Sequence, residues 1–218
     1  MLKVISFLGQ KRNGKDHVSK LFIEELFIQM DYSIFTIAFA DKLKEALSVM
    51  TGIPLEKFYD SNFKDGYMID LKTLDYYPVD HQKIKTGECM LIRYLLQYFG
   101  TNIVQKEFGK RFWIASTLKS LKEESINIIT DVRFKEEFKA VKSIDGITIR
   151  IINPNIVSYD THPSENETTD LPTDYTIIND CIPGGKDNTD DLIKQIKTIV
   201  SEIKKEYEWK ISEMSKIS

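Results

Sequence analysis

The segment LKVISFLGQKRNGKD, residues 2–16, joins an apolar run to a turn rich in glycine and basic residues. The apolar, β-branched run predicts a strand that is buried on both faces, as parallel strands are. Gly9, Gly14 and Lys15 follow it with the spacing G-x-x-x-x-G-K, which is typical of a phosphate-binding loop between a strand and a helix. A helix is therefore predicted from Gly14, and its apolar face would carry Val18, Leu21, Phe22 and Leu26.

The loop has the chemistry that a triphosphate requires. Its glycines let backbone N–H groups approach phosphate oxygens, the helix N-terminus adds positive potential, and Lys15 supplies a charge to the β- and γ-phosphates. A tight turn with a surface lysine is the alternative interpretation. On the first interpretation, the residues that bind the triphosphate are Gly9, Lys11, Asn13, Gly14, Lys15 and Asp16.

Three charged residues of the loop each allow two interpretations. Asp16 stands where such loops normally carry the hydroxyl that contacts Mg²⁺. A carboxylate can hold that ion directly or through water, or it can simply favour the first helical turn. Lys11 and Arg12 would place charge near a transferred phosphoryl group, with Arg12 as a catalytic residue. Alternatively, both are solvated surface cations.

Buried strands and amphipathic helices alternate along the rest of the chain. Helices are predicted from Asp41, which would cap the first of them, from Cys89 to a stop at Gly100, and over the C-terminal segment, with fraying beyond Lys204. This order predicts a three-layer α/β/α fold around a doubly wound, mostly parallel five-stranded sheet. The further strands are SIFTIAFA (33–40), INIITDVRF (126–134), ITIRIIN (147–153) and YTIIND (175–180).

Two segments interrupt this pattern within a single predicted domain, residues 1–218. Residues 52–88 are rich in Tyr, Lys and Asp with weak periodicity, so we interpret them as a substrate-binding insertion packed over the sheet. Residues 153–172 are polar, bounded by prolines and without periodicity. That composition is typical of a mobile surface lid.

The composition excludes several classes of protein. The chain has 218 residues, two cysteines and a formal net charge of -3, with acidic and basic residues dispersed along it. No strong global field would hold nucleic acid or an anionic membrane, and no segment reaches the roughly 20 apolar residues of a membrane span. Two distant cysteines fit a reducing compartment and no zinc site. We therefore expect a cytoplasmic protein, and the sequence leaves open whether it forms a homodimer.

Asp131 and Arg133 come at the end of the strand INIITDVRF. Ligands of open α/β sheets bind outside the carboxyl ends of the strands. Asp131 would therefore orient magnesium or accept a proton from the attacking group, and Arg133 would lie at the same rim. A structural ion pair is the alternative for these two residues.

A second set of polar residues would bind a second substrate. Arg93, Gln97 and Thr101 recur every four residues on a helix whose other side is apolar. Arginine suits a phosphate, and an amide followed by a hydroxyl suits the edge of a nucleobase, although the stripe could equally be a solvated helix face. The further candidates are Asp41 and Lys44 after the second strand, and His162 and Glu165 in the lid, with a capped helix and polar surface residues as the alternatives.

With these residues assembled, the chain resembles the deoxynucleoside monophosphate kinases of large bacteriophages. The resemblance runs through nearly the whole length, and the phosphate loop of that family also carries Lys-Arg within it and Asp after the lysine. The segments that carry it are GQKRNGKD (9–16), FADKLKEAL (39–47), RYLLQYFGT (93–101), DVRFKEE (131–137), DTHPSE (160–165) and YTIIND (175–180).

The resemblance implies a P-loop kinase fold and transfer of the γ-phosphoryl group of ATP to a deoxynucleoside monophosphate, with Mg²⁺. Asp16 and Asp131, named above, are the candidate ligands of that ion. The resemblance also implies that Lys15 is catalytic and that Asn179 lies near the adenine of ATP. Family members commonly carry an arginine where this chain has Asn153, so Lys11, Arg12 or Arg133 would supply that charge instead.

Two other functions remain open at this stage. Animal phosphomevalonate kinases have a very similar opening motif, although the Arg93, Gln97 and Thr101 stripe suits a base better than a mevalonate chain. A nucleotide-binding regulator without catalysis would share the loop, but Asp131 and Arg133 weakly favour an enzyme.

Overall fold

A computed structural model describes residues 3–10, 13–30, 32–85, 87–156, 167–181 and 189–217. The chain separates into two compact units, residues 1–38 with 121–218 (unit 1) and residues 39–120 (unit 2). The predicted insertion, residues 52–88, lies within unit 2.

The elements are as follows. The strands are β1 (Lys3–Leu8), β2 (Ser33–Ile37), β3 (Tyr67–Asp70), β4 (Tyr76–Pro78), β5 (Cys89–Leu91), β6 (Ser125–Val132), β7 (Ile147–Ile152) and β8 (Tyr175–Ile178). The α-helices are α1 (Lys15–Gln29), α2 (Asp41–Thr51), α3 (Ser61–Gly66), α4 (His81–Lys85), α5 (Ile92–Gln97), α6 (Lys106–Phe108), α7 (Phe112–Lys119), α8 (Lys135–Lys142) and α9 (Thr189–Ile217). A 3₁₀ turn (Leu55–Phe58) and a π-helix (Tyr98–Gln105) complete the set for the described ranges. None of these helices is long and apolar enough to cross a bilayer.

Unit 1 is built on a five-stranded parallel sheet in the order β2-β6-β1-β7-β8, with helices on both sides. The predicted α/β fold class is confirmed, and it is consistent with a P-loop kinase fold. The order places β1 in the centre. Its residues from Val4 to Leu8 are therefore buried, as the apolar run predicts.

The main core of unit 1 lies between one face of this sheet and helices α1 and α9. Alternate residues of β1, such as Ile5 and Phe7, meet the buried face of α1, and the rings of Phe7 and Phe22 are 5.3 Å apart and edge to face. Each such side chain contributes about 1.5–3 kcal/mol when it is fully buried. This packing fixes the start of α1, and hence the loop before it, against the end of β1.

Two expectations for unit 1 need correction. The segment SIFTIAFA was expected to be a buried strand, but β2 stops at Ile37 and lies at the edge of the sheet, so that only Ile37 of the strand is fully buried. The C-terminal helix was expected to fray beyond Lys204, but α9 continues to Ile217. Tyr207, one helical turn after Ile203, is buried in the same core and extends the packing that keeps this helix formed.

Unit 2 contains a three-stranded antiparallel sheet, in the order β4-β3-β5, that the sequence did not predict. Its strands are only three or four residues long, which is too short for a period of two to be recognised. An aromatic cluster stabilises it, because the ring of Phe63 stacks on Tyr67 at 4.7 Å and meets Tyr76 edge to face at 5.4 Å.

The predicted stop of a helix at Gly100 is wrong. The helix that begins at Ile92 passes through Gly100, as a π-helix from Tyr98, and ends only at Gly109, whose φ of 91° favours glycine. Gly100 is instead a packing residue. A Cβ built on it would lie 2.9 Å from a terminal methyl carbon of Leu43, so glycine allows α2 to approach closely.

Candidate functional site

Two glycines shape the loop between β1 and α1. Gly9 directly follows β1, and a Cβ on it would lie 2.6 Å from the carbonyl oxygen of Ile151, which is backbone and cannot move aside easily. Gly14 directly precedes α1 with φ 79°, in the left-handed region, and a Cβ there would overlap Nδ2 of Asn179. The positions that the motif fixes as glycine therefore have steric reasons to be glycine.

Lys15, the first residue of α1, folds back over this loop. Its amine donates to the carbonyl oxygen of Gly9 and, at 3.1 Å, to that of Gln10. A phosphate carries full negative charge, whereas a carbonyl carries only a dipole, so a triphosphate would compete well for this amine. Asp16 is exposed in the first turn of α1. Lys11 and Arg12 lie outside the described residues.

Two buried asparagines connect the loop to the neighbouring strands. Nδ2 of Asn179, just after β8, donates to the carbonyl oxygen of Asn13 at 2.9 Å, and Nδ2 of Asn13 donates to Ile151 O, in β7, at 3.1 Å. The side chains are almost fully buried, since Asn13 is 6% exposed and Asn179 is 3% exposed. The sequence predicted both as nucleotide-binding residues and did not anticipate the contact between them, which depends on tertiary structure.

The end of β6 carries Asp131 and Arg133, the acidic and the basic side chain that the sequence singled out there. Asp131 is partly buried, and its Oδ2 lies 4.0 Å from Nε of the exposed Arg133. Leu8 pairs with Val132 across β1 and β6, so Asp131 and the start of the loop between β1 and α1 lie at neighbouring strand ends. The long ion pair is compatible with either interpretation of these two residues, because an exposed pair of this length is weak.

Glu137, which the sequence did not reveal as a site residue, is a buried carboxyl beside this strand end. It lies in the first turn of α8, is 9% exposed and accepts hydrogen bonds from the backbone N–H groups of Arg133 (2.8 Å) and Phe134 (3.1 Å). Burial raises the pKa of Glu137 to about 8, because desolvation outweighs the two hydrogen bonds that favour the carboxylate. A Glu at the third position of a helix, as in a capping box, is the signal that could have identified it, but the sequence did not predict α8.

Glu137 is expected to make folding less favourable as pH rises. The pKa of Glu137 is raised from 4.5 to about 8 in the folded chain, so the folded state holds a proton that the unfolded state has lost between these values. Its contribution to the free energy of unfolding is therefore fully present below about pH 4.5 and falls by at most about 1.4 kcal/mol per pH unit up to about pH 8.

Glu137→Gln should remove this dependence, because the amide oxygen can still accept both N–H groups and does not titrate in this range. The measurement is urea unfolding of both proteins between about pH 5 and about pH 9. The variant should become more stable than the wild type as pH rises, and parallel curves would contradict the raised pKa.

Arg150, in β7, and Asn153, directly after it, contact the last part of the expected lid and the segment that follows β8. The guanidinium of Arg150 donates to the carbonyl oxygens of Thr168 (2.8 Å) and Leu171 (2.5 Å). Asn153 donates from Nδ2 to Cys181 O at 3.1 Å. His162 and Glu165 lie outside the described residues, so their predicted substrate contacts stay predictions.

The polar stripe on the long helix of unit 2 is exposed at Arg93, Gln97 and Thr101. Arg93 donates from Nε and Nη2 to the two carboxylate oxygens of Asp65, with Nη2 at 2.8 Å. Thr101 lies in the π-helix, where hydrogen bonds join residues five apart, so the stripe departs from the regular α-helical spacing that was predicted.

Asp41 and Lys44, the other acceptor candidates, meet each other on α2. Nζ of Lys44 lies 3.2 Å from Oδ1 of Asp41 and 3.9 Å from the ring centroid of Tyr59, whose hydroxyl donates to Asp41 at 2.8 Å. Asp41 is the first residue of the helix, whereas the expected cap position is held by Ala40. Tyr59, in the predicted insertion, is a partner of this pair that the sequence did not reveal.

The described part of unit 1 thus brings together a glycine-shaped loop, a lysine over it and two buried amides behind it. Backbone N–H groups at the start of α1, together with the positive end of its dipole, are the kind of donors that an anion of the size of a phosphate requires. No cluster of three or more His, Cys, Asp or Glu side chains is present in the described ranges, so they offer no metal site made of protein ligands alone.

Comparison with known proteins assigns the chain to a family. The model of the family described as deoxynucleotide monophosphate kinase matches residues 51–183, more than half of the chain. A protein of Acanthamoeba polyphaga mimivirus, provisionally named a deoxynucleotide monophosphate kinase, is 27% identical over 192 residues, covering 81% of this chain and 88% of the viral one. The loop between β1 and α1 precedes the matched segment, so the loop and the family match are separate observations. The chain belongs to the deoxynucleotide monophosphate kinase family, as the resemblance of its sequence implied.

Proposed function

We propose that this protein transfers the γ-phosphoryl group of ATP to a deoxynucleoside monophosphate, giving a deoxynucleoside diphosphate and ADP for DNA synthesis. The observation that carries the proposal is the loop from Gly9 to Lys15, which the folded chain places between the central strand and the first helix. The family supplies the acceptor class, and the loop supports ATP as the donor.

In this proposal unit 1 binds ATP. The N–H groups of the loop and the amine of Lys15 would hold the β- and γ-phosphates, since Lys15 already lies against the loop carbonyls. Phosphoryl transfer asks the protein for in-line placement and charge stabilisation. Lys15 and Arg133 would stabilise charge on the transferred group, and Asp131 would accept a proton from the attacking oxygen. Arg12 is proposed to help on sequence grounds alone.

Unit 2 would bind the acceptor. Arg93 suits its phosphate, because Asp65 engages only the Nε and Nη2 side of the guanidinium and leaves a second pair of N–H donors directed elsewhere. Gln97 and Thr101 would read the base, and Lys44 would add positive charge. The roles of Gln97 and Thr101 rest on the sequence pattern and on exposure. Those of Lys44 and Asp41 rest on the sequence pattern alone, because both side chains are only 15% exposed.

Magnesium is proposed as the cofactor, with Asp131 and Asp16 as the protein ligands. The residues fit this ion, because Mg²⁺ in phosphoryl-transfer enzymes is bound by one or two carboxylates, several waters and the substrate phosphates rather than by a protein cage. Both side chains are carboxylates, partly exposed at Asp131 and exposed at Asp16. When bound, the ion would neutralise charge on the β- and γ-phosphate oxygens.

The proposed reaction is tested by ADP release from Mg-ATP with a panel of acceptors: deoxynucleoside monophosphates, ribonucleoside monophosphates and phosphomevalonate. We expect turnover with at least one deoxynucleotide. ADP formed only with phosphomevalonate would make the protein a phosphomevalonate kinase. Binding of ATP without ADP release for any acceptor would make it a nucleotide-binding regulator.

A further inference from the structure

We infer that Asn179 is a positioning residue that holds the phosphate loop in the shape that receives a triphosphate. The family resemblance implies a position near the adenine of ATP for Asn179. In the folded chain Nδ2 of Asn179 lies 2.9 Å from the carbonyl oxygen of Asn13, in the loop. The inference rests on the proposed function, because it takes the loop to be the ATP site.

The contact is well shielded from water. Asn179 is 3% exposed, Asn13 is 6% exposed, and the hydrogen bond between them is buried. Water cannot replace such a bond without opening the structure, so the loop loses its support if the donor is removed. The backbone N–H of Asn179 is itself fixed, since it donates to Ile152 O at 2.8 Å. The donor is therefore held by the sheet.

The direction of this bond determines the direction of an amide in the loop. In a trans peptide the carbonyl and the following N–H point in opposite directions. Because Asn179 draws the carbonyl of Asn13 towards the end of β8, the N–H of Gly14 points away from it. That N–H begins the α1 N-terminus, where donors must be directed at the ligand for anion binding.

Asn13 provides a second support through its own side chain. Its Nδ2 donates to Ile151 O at 3.1 Å, so the same loop residue is held from β7 and from β8. Two hydrogen bonds on one residue, one at its carbonyl oxygen and one at its side-chain nitrogen, leave its peptide plane little freedom to rotate. The loop is thus preorganised before ATP arrives, which reduces the entropy lost on binding.

The acceptor atom of Asn179 supports a role in function over one in stability. Its Oδ1 is buried and has no hydrogen-bond partner in the described part of the chain. A buried carbonyl without a partner destabilises the fold, and an apolar side chain of similar size would avoid that cost. The hydrogen bond from Nδ2 to the carbonyl oxygen of Asn13 therefore explains why asparagine occupies this site.

The test is Asn179→Leu, which keeps the number and branching of the side-chain heavy atoms and removes the donor without adding charge. We expect the Kd for Mg-ATP, measured by isothermal titration calorimetry, to rise at least tenfold, and KM for the deoxynucleotide to change less than twofold. Asn155→Leu is the matched control, because Asn155 also donates to a carbonyl beyond β8, Asp180 O at 3.0 Å, but is exposed and outside the loop. It should bind Mg-ATP as the wild type does.

Thermal melting without nucleotide shows whether the variant folds. If Asn179→Leu does not fold, Asn179→Asp is used instead, since it keeps the shape and loses the donor, and the same loss of Mg-ATP affinity is expected. A folded variant that binds Mg-ATP like the wild type would overturn this inference alone. A wild-type protein that does not bind Mg-ATP would overturn the proposed function and this inference with it.

Discussion

A Lys15→Met enzyme is expected to phosphorylate its deoxynucleotide at about one hundredth to one thousandth of the wild-type kcat. The reason is that Lys15 carries a full charge within reach of the loop carbonyls of Gly9 and Gln10, where the β- and γ-phosphates would bind. Charge develops on the transferred phosphoryl group in the transition state, so the lysine contributes more there than to ground-state binding. Steady-state ADP release at saturating acceptor measures this loss.

Lys20→Met is the control, since Lys20 is exposed on the same helix α1 and outside the loop. Its kcat should match that of the wild type. The Lys15→Met protein should also unfold in urea within about 0.5 kcal/mol of the wild type, because its carbonyl partners are only partly buried and water can replace the amine. A Lys15→Met enzyme with normal kcat would exclude the loop from catalysis.

The sequence was most informative where burial and chemistry coincide in a short segment. β1 is central and buried on both faces, so its apolar run is continuous. The G-x-x-x-x-G-K spacing directly after it is therefore recognised as the turn between a strand and a helix. β2 contained similar residues but lies at the edge. An edge strand and a central strand differ in the number of neighbouring strands, and the side chains of the strand itself do not determine that number.

Local patterns also failed where a residue has two physical uses. Gly100 follows an apolar helical run, as a helix stop would, yet it is used for close contact with Leu43 inside a continuous helix. The three short strands of unit 2 are stabilised by contacts among Phe63, Tyr67 and Tyr76 rather than by alternation along each strand. Their pairing depends on residues distant in sequence, so it could not be derived from any one of them.

The candidate site divides in the same way. Residues fixed by local chemistry, Gly9, Gly14 and Lys15, were identified from spacing alone and share one loop in the structure. Two features beside them were not predicted: the contact of Asn179 with the loop, and the buried carboxyl of Glu137 next to the end of β6. Asn179 is 166 residues from Asn13 in sequence, and Glu137 acts on the backbone of Arg133 rather than on a side chain.

Gly14→Ala is expected to lower the free energy of unfolding by about 2–4 kcal/mol and to weaken Mg-ATP binding. About 1 kcal/mol comes from φ 79°, which an L side chain adopts only with strain. About 1–3 kcal/mol comes from overpacking, because the new methyl group would overlap Nδ2 of Asn179, a buried side chain held by Asn13. Urea unfolding and calorimetric titration with Mg-ATP measure the two effects.

Gly52→Ala separates the two causes, because Gly52 has nearly the same φ, 73°, and a Cβ on it would meet no atom within 4 Å. The free energy of unfolding of this control should therefore fall only by the cost of the left-handed conformation, about 1 kcal/mol. Its affinity for Mg-ATP should equal that of the wild type. The difference between the two variants then reports the contact between Gly14 and Asn179. If both variants lost the same free energy of unfolding and both still bound Mg-ATP, Asn179 would move aside for the new methyl group without harm to the loop. The buried hydrogen bond between Asn179 and Asn13 argues against that outcome.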